Sequence, residues 1–351
     1  MACVKGIMKE ILPLDEQTLL TYLQLHYWTR DDIQIHNLRN ITTGWETEIL
    51  SFNLEWAENG ERELQRLVAR IYPGKNAAIK AQREATTMKR LLELGYPVPV
   101  VQIVETEKSH LGQPFMIMDR IDGGTLDDKL HENEDKWMKE FSILFVNLHR
   151  LDWKKMQGTT GYSPNDDPYY YIKTILSGYE KDLEHSQKHE LYPIISWLQK
   201  RIDDVPCKSP SIVHGDFHPF NILVDENDKA FVIDWGASKI TDFRSDLAWT
   251  LLLHYAYSTQ ENRDATLRNY ETTLGQDVEQ IEYFEVLATL RRLYDVTSSF
   301  DKGAGELGMR PEALELMRET IGHIVRVKDR LEDLTEITIP EIEQFIQKLS
   351  E

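Results

Sequence analysis

Residues 211–238 read SIVHGDFHPFNILVDENDKAFVIDWGAS, and this stretch decides the fold. Two short apolar runs, Ile222-Leu223-Val224 and Ala230-Phe231-Val232-Ile233, flank Asp225-Glu226-Asn227-Asp228, a cluster of turn formers. That pattern predicts a β-hairpin. His214, Asp216, His218 and Asn221 precede the hairpin, and Asp234 follows it directly. A hairpin brings its ends together, so Asn221 and Asp234 are expected side by side, near a second carboxylate, Asp216. An all-oxygen set of this kind is ligand chemistry for Mg²⁺ rather than zinc.

Asp216 precedes Asn221 by five residues, the spacing of the kinase catalytic loop, where an Asp takes the hydroxyl proton and an Asn holds metal. The run HGDFHPFNIL at 214–223, followed by VIDWG at 232–236, resembles the aminoglycoside phosphotransferase and choline kinase family. These are small-molecule kinases with a protein-kinase-like fold. His-Gly-Asp stands where protein kinases have His-Arg-Asp, and Asp234-Trp235-Gly236 stands where they have Asp-Phe-Gly. The resemblance implies an α+β fold in two lobes. The first, at 1–118, is an antiparallel-sheet nucleotide lobe with one main helix; the second, at 119–351, is a mostly helical catalytic and substrate lobe. It implies ATP and Mg²⁺ as cofactors, Asp216 as the catalytic residue, and Asn221 and Asp234 as metal ligands.

The chain has 351 residues, 41% hydrophobic and 28% charged, which is enough for a substantial core. No apolar run is long enough to span a bilayer and no signal-peptide pattern is present. Cys3 and Cys207 are the only cysteines, which fits a reducing cytoplasm. The net charge of −19 argues against nucleic-acid binding. It is uneven: residues 1–118 carry 13 basic and 15 acidic side chains, residues 119–351 carry 27 and 44. An acidic second half attracts a cationic acceptor through its field. Glu306, Glu312, Glu315 and Glu319 concentrate that charge; a solvated helix face is the plainer reading of the same residues.

Outward from the motif, residues 15–28 show helical spacing at Leu19, Leu20, Leu23 and Tyr27, with Asp15 as N-cap. Residues 41–52 predict a strand, a turn at Gly44 and a returning strand; by resemblance this hairpin covers the ATP phosphates. Residues 67–72 predict a third strand in which Val68, Arg70 and Tyr72 share a face. Arg70 stands where kinases carry the phosphate-binding Lys, and Arg can serve bidentately. Residues 78–94 predict a helix with Met88, Leu91 and Leu92 as its stripe. Glu84 lies on or beside that stripe and needs a partner, for which Arg70 is the obvious choice.

Strands are expected at 98–104 and 114–118. The second runs into a segment that resembles the family's hinge, where the backbone around Asp119 to Ile121 bonds the adenine edge. Residues 136–149 form a strongly amphipathic pattern, and His149 at its end reads as structural. Residues 159–171 are turn-rich, and 191–202 read as a helix. After Asp234, residues 243–249 open a helix with Ser245 as N-cap and Asp246 as a brace for the catalytic loop. Helices at 263–273, 278–300, 311–331 and 339–349 complete the chain.

The function expected is transfer of the γ-phosphate of ATP to a hydroxyl of a small molecule, an aminoglycoside-like compound or amino alcohol if the acceptor is cationic. A neutral sugar or macrolide acceptor, or a catalytically silent nucleotide-binding scaffold, are the alternatives. Asp216, Asn221 and Asp234 are all present, which counts against the silent scaffold. A protein kinase is disfavoured by Gly215, by the lack of an Ala-Pro-Glu element, and by the short segment between Asp234 and Asp246. His218 is placed to bond the loop or meet the transferred phosphate, and the first role is preferred.

Overall fold

A computed structural model describes residues 16–41, 47–108, 111–156, 167–303, 315 and 318–350. The described chain divides into two compact units: residues up to Ala85 together with Val100–Arg120, and Thr86–Pro99 together with the chain from Ile121.

In the first unit, helix α1 (Glu16–His26) precedes strands β1 (Asp31–Asn40), β2 (Glu48–Glu58) and β3 (Glu61–Ile71). Helix α2 (Ala77–Glu93) follows, then β4 (Val101–Glu105) and β5 (Phe115–Asp119). The five strands form one antiparallel sheet in the order β1-β2-β3-β5-β4. Alternation along each strand sorts the side chains. Leu67, Ala69 and Ile71 of β3 join Phe52, Leu54, Ile117 and the α1 residues Leu19, Tyr22 and Leu23 in a single buried cluster. Val68, Arg70 and Tyr72 therefore belong to the opposite face. The third strand starts earlier than its apolar run, and β1 occupies a stretch without a strand signal in sequence. β1 buries only Ile33 and Ile35, and it is interrupted by two register shifts. Residues 42–46, with the Gly44 turn, lie outside the described residues, as do Asp15 and residues 157–166. Leu92 is exposed rather than part of the α2 stripe; Ala77, Ala81, Glu84, Ala85, Thr87, Met88 and Leu91 are the buried positions.

The second unit opens with β6 (Gly123–Thr125), α3 (Leu126–Glu132) and α4 (Glu134–Arg150). Thr125 caps α3 through a reciprocal box with Asp128, and Asn133 caps α4 by accepting from the Lys136 amide. Trp137, Phe141, Leu144, Phe145 and Leu148 are all buried, as their spacing requires. Helices α5 (Tyr170–Ser186) and α6 (Tyr192–Gln199) lead to β7 (Ser211–Val213). The hairpin follows as β8 (Ile222–Asp225) and β9 (Ala230–Val232), with Ile222 opposite Val232. β6 adds to β8 as a third strand, and Gly123 is indispensable there: a Cβ would sit 1.8 Å from the Val224 carbonyl oxygen. β10 (Lys239–Thr241) pairs back with β7.

Helix α7 (Phe243–Tyr257) packs on α8 (Gln260–Leu274) and α9 (Ile281–Lys302), and α10 (Gly322–Thr335) packs on α7 and α9. α11 (Pro340–Ser350) ends the described chain. The N-cap of α7 is Asp242, whose carboxylate accepts from the Arg244 amide at 3.0 Å; Ser245 instead bonds the Asp242 carbonyl at 2.6 Å. No helix among the described residues is long and apolar enough to cross a membrane.

Candidate active site

The loop between β7 and β8 is bolted from behind before it presents any group forward. Asp246, fully buried on the first turn of α7, accepts from the backbone amides of His214 at 2.7 Å and Gly215 at 2.8 Å. His149 of α4 lies 3.3 Å from the same carboxylate and 2.7 Å from the Tyr270 hydroxyl, so its place is structural. Burial raises the Asp246 pKa, but the hydrogen bond and charge of His149 and the hydrogen bond from the His214 amide overcome this and hold it below the ordinary value. Gly215 has φ +85°, and a Cβ there would lie 2.7 Å from the Ala237 carbonyl oxygen. The second residue of the motif must therefore be glycine.

The His214 ring joins the loop to the far end of the hairpin. Its Nε2 donates to the Ile233 carbonyl at 2.8 Å, and its Nδ1 accepts from the Asp216 amide at 3.2 Å. Trp235 is fully buried beside it, donating Nε1–H to the Val232 carbonyl at 3.0 Å. Phe217 stacks on Phe145 at 4.1 Å between centroids, anchoring the loop to α4.

These anchors leave Asp216 facing forward. Its Oδ1 accepts from Trp249 Nε1 at 2.8 Å, and its Oδ2 lies 3.4 Å from His218 Nε2. Burial pushes the Asp216 carboxyl up. The His218 hydrogen bond and charge, the Trp249 hydrogen bond and the Arg291 charge outweigh that, holding it well below the usual carboxylate range. Asn221 donates from Nδ2 to the Asp216 carbonyl at 3.0 Å. Its Oδ1 is left without a described partner. The Ile233 amide donates to the Asn221 carbonyl at 3.0 Å, continuing the β8–β9 ladder. Asp234 comes next, in the left-handed region at φ 66°, ψ 61°, a conformation that turns its side chain off the strand line. His218 sits within the loop's hydrogen bonding.

Two residues that no local motif announces complete this surroundings. Trp249 comes from α7, and Arg291 from α9. Arg291 donates Nη1–H to the Gly215 carbonyl at 2.7 Å and lies 3.7 Å above the Trp249 ring. The only signal for Trp249 is its position one turn after Asp246; Arg291 has none.

In the first unit, Arg70 Nη1 lies 2.9 Å from Glu84 Oε1, and the Tyr72 hydroxyl donates to Glu84 Oε2 at 2.8 Å. Both partners are buried, Glu84 at 2% exposure. The strand and the helix are thus joined by one ionic bracket. Asp119 ends β5 and accepts through Oδ1 from Gln65 at 3.0 Å and Gln102 at 2.8 Å. Its amide donates to the Val100 carbonyl, and the Arg120 amide donates to the Arg66 carbonyl, both at 2.9 Å. The sheet therefore consumes both amides.

The donor set in the second unit is two carboxylates and one amide oxygen. Among the described residues no three His, Cys, Asp or Glu side chains gather as a metal cluster. Few protein oxygens suit Mg²⁺, which takes most of its ligands from water and phosphate. The Oδ1 of Asn221, which has no hydrogen-bond partner among the described residues, fits that demand.

A sequence model described as the phosphotransferase enzyme family matches residues 53–284. Acyl-CoA dehydrogenase family member 11 of Pongo abelii is 27% identical over 190 residues, a match covering 51% of this chain and 23% of that protein. The chain thus spans less than a quarter of the length of that curated relative. In fold it is similar to a thermostable mutant of aminoglycoside phosphotransferase APH(4)-Ia, in ternary complex with AMP-PNP and hygromycin B. The TM-score is 0.61 at 14% identity, covering 91% of this chain and 98% of that one. A choline/ethanolamine kinase family protein from Mesorhizobium loti gives a TM-score of 0.56 at 16% identity, covering 90% and 92%. The chain belongs to the phosphotransferase enzyme family, with an α+β, protein-kinase-like fold.

Proposed function

We propose that the protein moves the γ-phosphate of ATP to a hydroxyl group of a small molecule. The observation that carries this reading is the pair Asp216–Asn221: the amide nitrogen of Asn221 is spent on the Asp216 carbonyl at 3.0 Å, which frees its oxygen for a metal. Asn221 and Asp234 would hold Mg²⁺, which would supply charge compensation for the phosphates of ATP.

Asp216 orients the acceptor hydroxyl and receives its proton. A carboxyl held below its ordinary pKa is a weak base, so its main work is orientation, with the proton passing late, as the oxygen bonds to phosphorus. Phosphoryl transfer suits such a group, because positioning and charge stabilisation supply most of the rate. Arg70, fixed by Glu84, is assigned to the α- and β-phosphates, and the turn at Gly44 to covering them. The backbone at Asp119 and Ile121 is assigned to the base edge, with the Ile121 amide as donor.

A net charge of −19 draws cations toward the molecule from a distance, a long-range effect that does not by itself fix the charge of the acceptor. Of the four glutamates in the expected acidic cluster, Glu306 and Glu312 lie outside the described residues, and Glu315 and Glu319 are exposed. A screen of purified protein for ATP consumption across amino alcohols, aminoglycosides, sugars, macrolides and hydroxy acids tests the reading. Acceptor-dependent ADP formation is expected. Nucleotide binding without consumption under any acceptor would favour the silent scaffold.

A further inference from the structure

The charge of Arg291 reaches Asp216, against the acidic balance of the chain as a whole. Arg291 and Arg292 are consecutive on α9. Arg291 is occupied by the Gly215 carbonyl, the Trp249 ring and Asp295, whose carboxylate lies 3.6 Å away. Arg292 feels the charge of the Asp295 carboxylate but is not bonded to it. Its Nη2 donates to the Tyr257 hydroxyl at 2.5 Å, and Nε and Nη2 reach His323 Nε2 at 3.2 and 2.8 Å. No carboxylate among the described residues pairs with it. The half-buried guanidinium keeps its Nη1 donors uncommitted.

The neutral partners hold this cation in a fixed pose. His323 is buried, and its Nδ1 donates to the Thr320 carbonyl at 2.5 Å. That tautomer leaves Nε2 as the acceptor for Arg292. Burial, and then the Arg292 charge, push the His323 pKa down to about 4, so near neutral pH it stays an acceptor. The Tyr257 ring stacks on His323 at 4.7 Å between centroids. Tyr257 also lies within the field of Asp216: its pKa is raised by burial first, the Arg292 charge and hydrogen bond lower it, and the Asp216 charge raises it by a smaller amount. Arg326 of α10 bonds the Ser258 carbonyl next to Tyr257, and it too has no carboxylate partner among the described residues.

We propose that Arg292, braced by Tyr257 and His323, is the subsite for an anionic group of the acceptor, so that the substrate is an alcohol that also carries a carboxylate or phosphate. Cation placement explains why a half-buried arginine is bonded only to neutral groups: its counter-charge arrives with the substrate. The competing account makes Arg292 a bracket between α9, α7 and α10. The proposal rests on the phosphotransferase reading, and the test separates the two.

Full-length protein saturated with MgAMP-PNP is melted in sodium sulfate and in sodium chloride at matched ionic strength. Sulfate also stabilises proteins by exclusion from their surfaces, so the readout is the difference between wild type and Arg292→Gln. The wild type should gain a sulfate-specific rise in Tm that Arg292→Gln loses and Arg292→Lys partly keeps. The same proteins are then compared on a hydroxy acid, its carboxamide and an amino alcohol of equal chain length. The hydroxy acid should be preferred, and Arg292→Gln should raise its KM by roughly 10–100-fold with the KM for ATP unchanged. An equal sulfate effect in wild type and Arg292→Gln overturns the subsite, as does a preferred cationic or neutral acceptor whose KM ignores Arg292. The sulfate arm needs no turnover, so absence of ATP consumption with every acceptor would count against the kinase reading alone.

Discussion

Asp216 is a carboxylate whose proton affinity has been lowered by its neighbours, and this shapes what its replacement should do. Asn at 216 keeps the shape and can still accept from Trp249, but it can neither take the acceptor proton nor bear charge beside it. Asp216→Asn should leave MgATP affinity nearly unchanged and lower single-turnover rates by ~100-fold or more, the usual scale of a lost general base. Turnover like wild type would remove Asp216 from the mechanism. Asp234 poses a different problem. It is assigned the charged half of the metal site, since the Asn221 amide oxygen alone is a poor Mg²⁺ ligand. Asp234→Ala should therefore abolish the difference between MgATP and metal-free ATP in a binding titration. An unchanged metal dependence would place the ion on other ligands.

At the scale of elements, β3 and α2 are tied by Arg70, Tyr72 and Glu84, and the tie can be separated from its use. Glu84→Ala removes the carboxylate partner of the buried Arg70 guanidinium and should cost about 3–5 kcal/mol in urea unfolding. Replacing both partners, Arg70→Met with Glu84→Leu, removes the desolvation penalty and should recover most of that stability. Nucleotide affinity should not recover with it, because the phosphate cation is gone. A double variant that binds MgATP like wild type would show that Arg70 is not the clamp. Elements also show where sequence was legible. The hairpin at 222–232 and the helix at 134–150 were readable because their burial follows one clean period. β1 was not, because its polar run DDIQIHNLRN buries only two isoleucines and slips register twice. α7 was readable as a helix but not at its start, since Asp242 and Ser245 are both acceptable caps and only Asp242 reaches the Arg244 amide. Trp249 and Arg291 were illegible for a different reason: they meet the loop across long sequence separations, and nothing local encodes that meeting.

At the scale of the whole molecule, stability should depend on pH through two histidines that the fold keeps neutral. His254, bonded to the Thr266 hydroxyl at 2.6 Å, has its pKa pushed down to about 4, chiefly by burial. His323 has its pKa pushed down to about 4 by burial and by Arg292. Their ordinary value is 6.5, so the unfolded chain binds protons that the folded chain refuses. Stability is then fully present above pH 6.5 and is lost as pH falls toward 4, by up to about 1.4 kcal/mol per pH unit for each histidine. The depressed carboxyls of Asp216 and Asp246 lose their contribution only at lower pH, below the ordinary carboxylate value of 3.8, so the two effects occupy different windows. Both histidines belong to the second unit. If the units unfold in separate steps, the acid-sensitive step should be that of the second unit. Urea unfolding at a series of pH values between 7.5 and 4.5 measures the slope. His254→Gln and His323→Gln should each flatten it, and their effects should add if the sites are independent. A wild-type slope that stays flat down to pH 5 would mean that both rings accept protons in the folded state. The neutral acceptor on which the pose of Arg292 depends would then be absent.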